Sequence, residues 1–233
     1  MRGLIRDLVP AEARDQLRTM LRRGKLKKVA FERFLRRPRV YDIASSERLG
    51  VIFLAETHMT IPERCVLYGL VRGLRPERVL EIGTRFGGSA SIIAAALEDS
   101  GRGCIVGLDP APESVTPEER FYGRFTLLER PSPEGTAEAA RIAGGPFDFV
   151  HIDGIVTHRQ AKKDLVGALS HLAKHAVILV NNPFHYGVDQ AIREFEQENE
   201  NVFDGGYVGT GIDAEVDPAH AYAGMRLLRV RPQ

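Results

Sequence analysis

From Arg78 onward the chain alternates between short unbroken apolar runs and longer stretches whose apolar residues fall at helical spacing. The runs are 78–82 (RVLEI), 104–108 (CIVGL), 125–128 (FTLL), 147–152 (FDFVHI) and 176–180 (AVILV), and helical patterns occupy 88–99, 134–143 and 159–173. Continuous apolar strands separated by helices predict a parallel sheet covered on both faces. An amphipathic helix follows at 188–199, then strand-like stretches near 201–208 and 224–230. With no helix between them, these two predict an antiparallel hairpin at the sheet edge. Upstream, Pro62 sits near the start of a helix running to about Leu74, residues 40–56 read as a connector, and 11–37 carry helical spacing broken by Gly24 and ended by Pro38. The pattern therefore predicts an α/β fold: a doubly wound, mostly parallel seven-stranded sheet over 57–233, preceded by a helical arm and connector over 1–56.

Composition narrows the setting. With 233 residues, 43% hydrophobic and 27% charged, the chain has the material for one large core. No apolar run approaches the roughly 20 residues that span a bilayer, and charges interrupt the apolar pairs of the N-terminus as no secretory signal allows. Cys65 and Cys104 are the only cysteines. They suit a reducing cytoplasm better than a disulfide framework, so a cytoplasmic location is expected. Net charge is +1, but residues 1–40 hold 13 Lys/Arg against 4 Asp/Glu while the remainder is acidic. Such an arm can bind an anionic membrane surface or acidic partner, or lie as a solvated helix on the acidic domain. It lacks the interleaved aromatics of a nucleic-acid reader, so no specific nucleic acid is expected. A homodimer stays open.

The most informative segment is RVLEIGTRFGGSASIIAAAL. A buried strand runs into Glu81-Ile82-Gly83, a glycine-rich turn follows, and a helix starts around Gly87–Ser89. Glycines there let backbone approach a bulky ligand, and the helix start offers unpaired amide donors. The spacing E-x-G-x-x-x-G departs from the G-x-G-x-x-G of nicotinamide and flavin folds. Glu81 takes the first glycine's place, where a carboxylate would repel a pyrophosphate and attract a cationic amino-acid group. Asp109 ends the next strand, CIVGLD, where an acid can take both ribose hydroxyls of an adenosine.

EIGTRFGGSAS, then GLDP, then FDFVHIDG before an apolar strand, together resemble the class I S-adenosylmethionine-dependent methyltransferases. The likeness is nearest to the small-molecule O-methyltransferase branch that includes catechol, caffeoyl-CoA and macrocin-type enzymes, and it covers about residues 57–230. The resemblance implies S-adenosylmethionine as cofactor and a small hydroxylated metabolite or sugar as substrate. By it, Gly83, Thr84 and Gly87 flank the methionine part with Ser89 close by, Asp109 holds the ribose, Ser132 touches the adenine, and Met59 and Thr60 lie in a stretch that closes over the cofactor. Asp153 counts among the cofactor-site residues as well as the chemical ones.

Methyl transfer is an in-line displacement in which alignment alone can supply about 7–11 kcal/mol. What remains is to deprotonate the acceptor, which the resembling families do with Mg²⁺ and a basic side chain. The implied ligands are Asp153, Asn181 and Asn182, a weak donor set for a hard dication because only one carries charge. The family's base position, three residues after the ligand Asp, is Val156 here. His158 is taken as the replacement, catalytic together with Asp153; His185 is a further candidate and His151 a structural residue. Two other readings stand beside active transfer: a binding protein of the same fold with altered or lost catalysis, and an NAD(P)-dependent oxidoreductase.

Overall fold

The computed structural model describes residues 50–114, 116–210 and 223–231, so the readings made for the basic arm lie outside it. Within these residues the strands are β1 (Arg78–Ile82), β2 (Cys104–Leu108), β3 (Phe125–Leu128), β4 (Phe147–Ile152), β5 (Leu172–Asn181), β6 (Val202–Val208) and β7 (Met225–Val230). The helices are α1 (Gly50–Leu54), α2 (Ile61–Leu74), α3 (Gly88–Ser100), α4 (Thr136–Ala143), α5 (His158–Leu169) and α6 (Tyr186–Glu198). The strands form one sheet in the order β3-β2-β1-β4-β5-β7-β6. β1 to β5 are parallel, and β7 runs antiparallel to both β5 and β6. The expected sheet and its edge hairpin are thus present. The order reverses between β1 and β4, which places a crevice at the carboxyl ends of those strands.

Alternation along each strand sorts the core into two layers. Leu80, Ile82, Val150, Ile152 and Ile178 pack with Ala161, Leu165, Ile192 and Phe195 of α5 and α6. Val79, Phe149, Val177 and Leu179 pack with Leu67, Val71, Ile93 and Leu97 of α2 and α3. On this second face the alternation also carries Glu81, His151 and Asn181, all buried. A polar seam therefore runs beneath the crevice.

Two boundaries differ from the predicted ones. The connector contains α1, whose Val51 and Ile52 are buried in the second layer. The helix predicted over 159–173 stops at Leu169, and β5 starts at Leu172. Leu165, Ala168, Leu169 and Leu172 continue helical spacing in sequence, but Leu172 pairs with Phe147 of β4 and gains a strand partner instead. No helix among the described residues is long and apolar enough to cross a membrane.

One residue ties the start of α2 to the start of β7. Thr60 caps α2 in a capping box with Glu63. Glu63 Oε2 accepts from Thr60 N–H at 2.6 Å, and Oε1 accepts from the Gly224 N–H, 161 residues away, at 2.7 Å. Glu63 is 2% exposed, so truncating it orphans buried donors. Glu63→Ala is expected to lower unfolding free energy by about 2–4 kcal/mol, since each orphaned buried donor costs about 1–3 kcal/mol. Urea denaturation checks this, and a loss under 1 kcal/mol would contradict the tie.

Candidate active site

The turn after β1 is built by close backbone approach. Gly83 has φ +92, and a Cβ there would stand 2.2 Å from the Asp153 carbonyl oxygen. Its N–H donates to the Leu108 carbonyl at 2.9 Å, while Asp153 N–H donates to Ile82 at 2.9 Å. The turn is thereby stitched to the ends of β2 and β4. Gly88 opens α3 where a Cβ would lie 2.1 Å from the Glu56 carbonyl oxygen, so the segment before α2 lies directly on the helix start. Arg64 fixes that segment from behind, donating to the carbonyls of Met59 (2.8 Å), Thr57 (3.0 Å) and Ile52 (3.2 Å).

Asp109 locks the two halves together. One carboxylate oxygen accepts from Arg85 N–H at 2.8 Å, and the other accepts from Ala111 N–H at 2.9 Å. Each oxygen keeps further acceptor capacity, and Asp109 borders a cavity of about 540 Å³. That volume lies within the range of small-molecule and cofactor sites.

Seven of the predicted residues border this cavity: Gly83, Thr84, Ser89, Asp109, Ser132, Asp153 and Asn182. Gly87 is the N-cap of α3 at φ +80, set against Phe121 and Thr116 rather than the cavity. Met59 is buried in the core. Glu81 does not reach the cavity. Strand alternation turns it toward His151, with Oε1 3.5 Å from the ring Nδ1 and both groups fully buried. Burial opposes the His151 cation, but Glu81 outweighs it, helped by Asp153 and Asn181, and the imidazole titrates above its usual range. His158 lies outside the cavity lining, at the start of α5, with Nε2 2.9 Å from Glu194 of α6. Its side chain pairs two helices.

The histidine that does border the cavity is His58, stacked on Phe86 with ring centroids 5.7 Å apart. His58 belongs to no motif of the sequence and directly precedes the Met59-Thr60 pair. Asp153, at the cavity floor, is pushed up to about 6 by desolvation; the charges of His151 and His58 oppose that rise, and those of Glu63 and Glu81 add to it. Gln160 and Asp164 of α5 also border the cavity. A clue to Asp164 was present in the sequence, where it interrupts the buried stripe Ala161, Leu165, Ala168.

The residues expected to hold Mg²⁺ do not fit that ion. Asn181 Oδ1 sits 3.2 Å from His151 Nε2 in a buried contact. Asp153 and Asn182 remain, one carboxylate and one amide, whereas Mg²⁺ favours several hard oxygen ligands near octahedral geometry. No group of three acidic, histidine or cysteine side chains among the described residues could hold a metal.

This cleft and sheet can be set beside known proteins. Residues 80–182, from β1 through the end of β5, match the family described as "Methyltransferase domain". Over this stretch the chain is similar to a methyltransferase domain. Its fold is that of Rv0187 from MTB, solved cofactor-bound, at 23% identity and TM-score 0.60 over 89% of this chain and 99% of that one. TomG, an O-methyltransferase of tomaymycin synthesis from Streptomyces achromogenes solved with SAM, aligns at 20% identity and TM-score 0.55, over 88% of this chain and 95% of that one. An O-methyltransferase from Bacillus cereus solved with SAH aligns at 18% identity and TM-score 0.53, over 81% and 90%. No curated protein matches the chain in sequence.

The cavity lining holds a second displaced titration. Asp164 is 1% exposed, and desolvation pushes it up to about 6, against favourable contacts from Gln160 and Ser132. In the unfolded chain it ionises near 3.8. Between those values the folded chain binds the proton more tightly, so stability from this group falls as pH rises from about 4 to 6 and stays low above. Asp164→Asn is therefore expected to stabilise the protein at pH 7.5 by on the order of 1–3 kcal/mol, and by clearly less at pH 5. Denaturation at both pH values checks the sign; an equal effect at both would contradict it.

Proposed function

We propose that the chain is an S-adenosylmethionine-dependent methyltransferase that methylates a hydroxyl oxygen of a small acceptor. The observation that carries this reading is the Asp109 carboxylate, pinned by two backbone N–H groups at the border of the cavity that the Gly83 turn also lines. A vicinal diol can donate to both oxygens of such a carboxylate at no reorganisation cost. Gly83, Gly88, Thr84, Ser89 and Ser132 border the same cavity and supply backbone and hydroxyl groups to such a ligand. The solved proteins of this fold that were found with SAM or SAH support the same ligand.

When bound, the sulfonium supplies an electrophilic methyl group. The chain's own residues position the acceptor and take its proton. Asp153 and His58 both border the cavity and interact electrostatically. An imidazole titrates in the range that suits proton transfer near neutral pH, and we assign the base role to His58 with Asp153 stabilising its cation.

Wild-type protein is expected to bind S-adenosylhomocysteine with a micromolar dissociation constant by calorimetry. Asp109→Ala should weaken it at least about tenfold, the loss of two charge-assisted hydrogen bonds. Against a panel of phenols and sugars, His58→Gln should lower kcat by about 10²–10⁴-fold with that affinity retained. Wild-type protein that binds neither S-adenosylmethionine nor its product would overturn the reading, and binding without turnover on any acceptor would reduce it to a binding protein.

A further inference from the structure

The three residues expected to share a metal come together around a space too small for a hydrated ion. Asp153, Asn181 and Asn182 all border a cavity of about 10 Å³, whose other walls include Val156, Ala161, Val180 and Val188. A single water needs about 10–15 Å³, whereas Mg²⁺ keeps several waters in near-octahedral geometry. Asp153 and Asn182 also border the large cavity; Asn181 does not. Asn181 is buried with Oδ1 3.2 Å from His151 Nε2, so a cation could claim that oxygen only by breaking the polar seam.

Asn182 has something else to offer. Its N–H donates to the Gly224 carbonyl at 3.2 Å, and its own carbonyl accepts from the His185 N–H at 3.0 Å. These bonds hold it at φ +55, in the left-handed region that asparagine, aspartate and glycine enter most readily. Both backbone groups are thereby spent. What remains is the amide of a half-buried side chain, which makes no hydrogen bond among the described residues. An amide carries what the neighbouring Asp153 carboxylate lacks, a donor. It can hold an acceptor oxygen by N–H while a base takes that oxygen's proton.

Resting on the methyl-transfer reading above, we propose that the reaction needs no divalent ion and that the Asn182 amide holds the acceptor oxygen by donating a hydrogen bond to it. His58 takes the hydroxyl proton as the O–CH₃ bond forms and the S–CH₃ bond of the sulfonium breaks. The products are a methyl ether, a neutral thioether and a protonated imidazole. A neutral donor acidifies a hydroxyl far less than a dication does, so removal of the proton falls to the imidazole.

The test uses the full chain and two readouts. In the first, wild type saturated with S-adenosylhomocysteine is titrated calorimetrically with Mg²⁺ and with Mn²⁺, and turnover on the phenol and sugar panel is followed with and without EDTA. Neither ion is expected to bind saturably, and turnover should stay within about twofold in EDTA. Saturable binding of either ion, or turnover lost in EDTA and restored by Mg²⁺, overturns the ion-free step. In the second, Asn182→Gly and Asn182→Asp are compared with wild type, since both replacements accept φ +55 and neither carries the amide. Each is expected to lower kcat at least about tenfold while S-adenosylhomocysteine affinity stays within about twofold, the pattern of a group lost from the reacting end alone. Unchanged kcat in either variant, or an equal loss of S-adenosylhomocysteine affinity, overturns the role of Asn182. Wild type that binds no S-adenosylhomocysteine, or binds it without turnover on any acceptor, overturns the transfer reading itself.

Discussion

The cleft depends on the clamp at Asp109. Its carboxylate bridges the Arg85 N–H of the glycine turn and the Ala111 N–H beyond β2, so two loops that would otherwise splay become one rigid wall. The clamp works only because Gly83 lets the turn lie against Asp153, where a side chain would collide with the carbonyl at 2.2 Å. Three strand ends are thereby held in register, and the side chains that border the cavity inherit fixed positions. A ligand entering such a wall finds its partners already oriented, which is where rigid sites gain most of their affinity.

Beneath the wall the protein tolerates charge that a stability-driven core would exclude. Glu81, His151 and Asn181 share one face of the central strands, all buried. The Glu81–His151 pair offsets part of its own desolvation, as a buried ion pair must. Asp153 and Asp164 flank the same region with acidities displaced toward neutral. The displaced groups gather at one end of one sheet, beside the cavity, and the apolar layers elsewhere carry the stability.

Much of this was legible from sequence because it follows from periodicity. Unbroken runs such as CIVGL and FDFVHI, short and bounded by turn residues, read as the buried strands they are, and the glycine turn and Asp109 fall together at the cavity. The misses are local and physical. Leu172 kept helical spacing but was taken by β4, and α1 was hidden in a connector too short to show a period. Glu81, His158 and Asn181 were placed by chain position, whereas strand alternation and the α5–α6 packing decide where their side chains point. His58 carried no pattern of its own; it reaches the cavity because Gly88 admits the Glu56 backbone so closely and Arg64 holds the segment there. Asp164 was visible as a break in an apolar stripe, but its partner Ser132 is 32 positions away in sequence.

The most direct test of the Asp109 clamp as a nucleoside cradle is a crystal structure of the chain with S-adenosylhomocysteine. Both ribose hydroxyls are expected within hydrogen-bonding distance of the Asp109 carboxylate, with its ties to Arg85 and Ala111 unchanged. A nucleoside bound elsewhere, or Asp109 turned away from the ribose, would contradict the account.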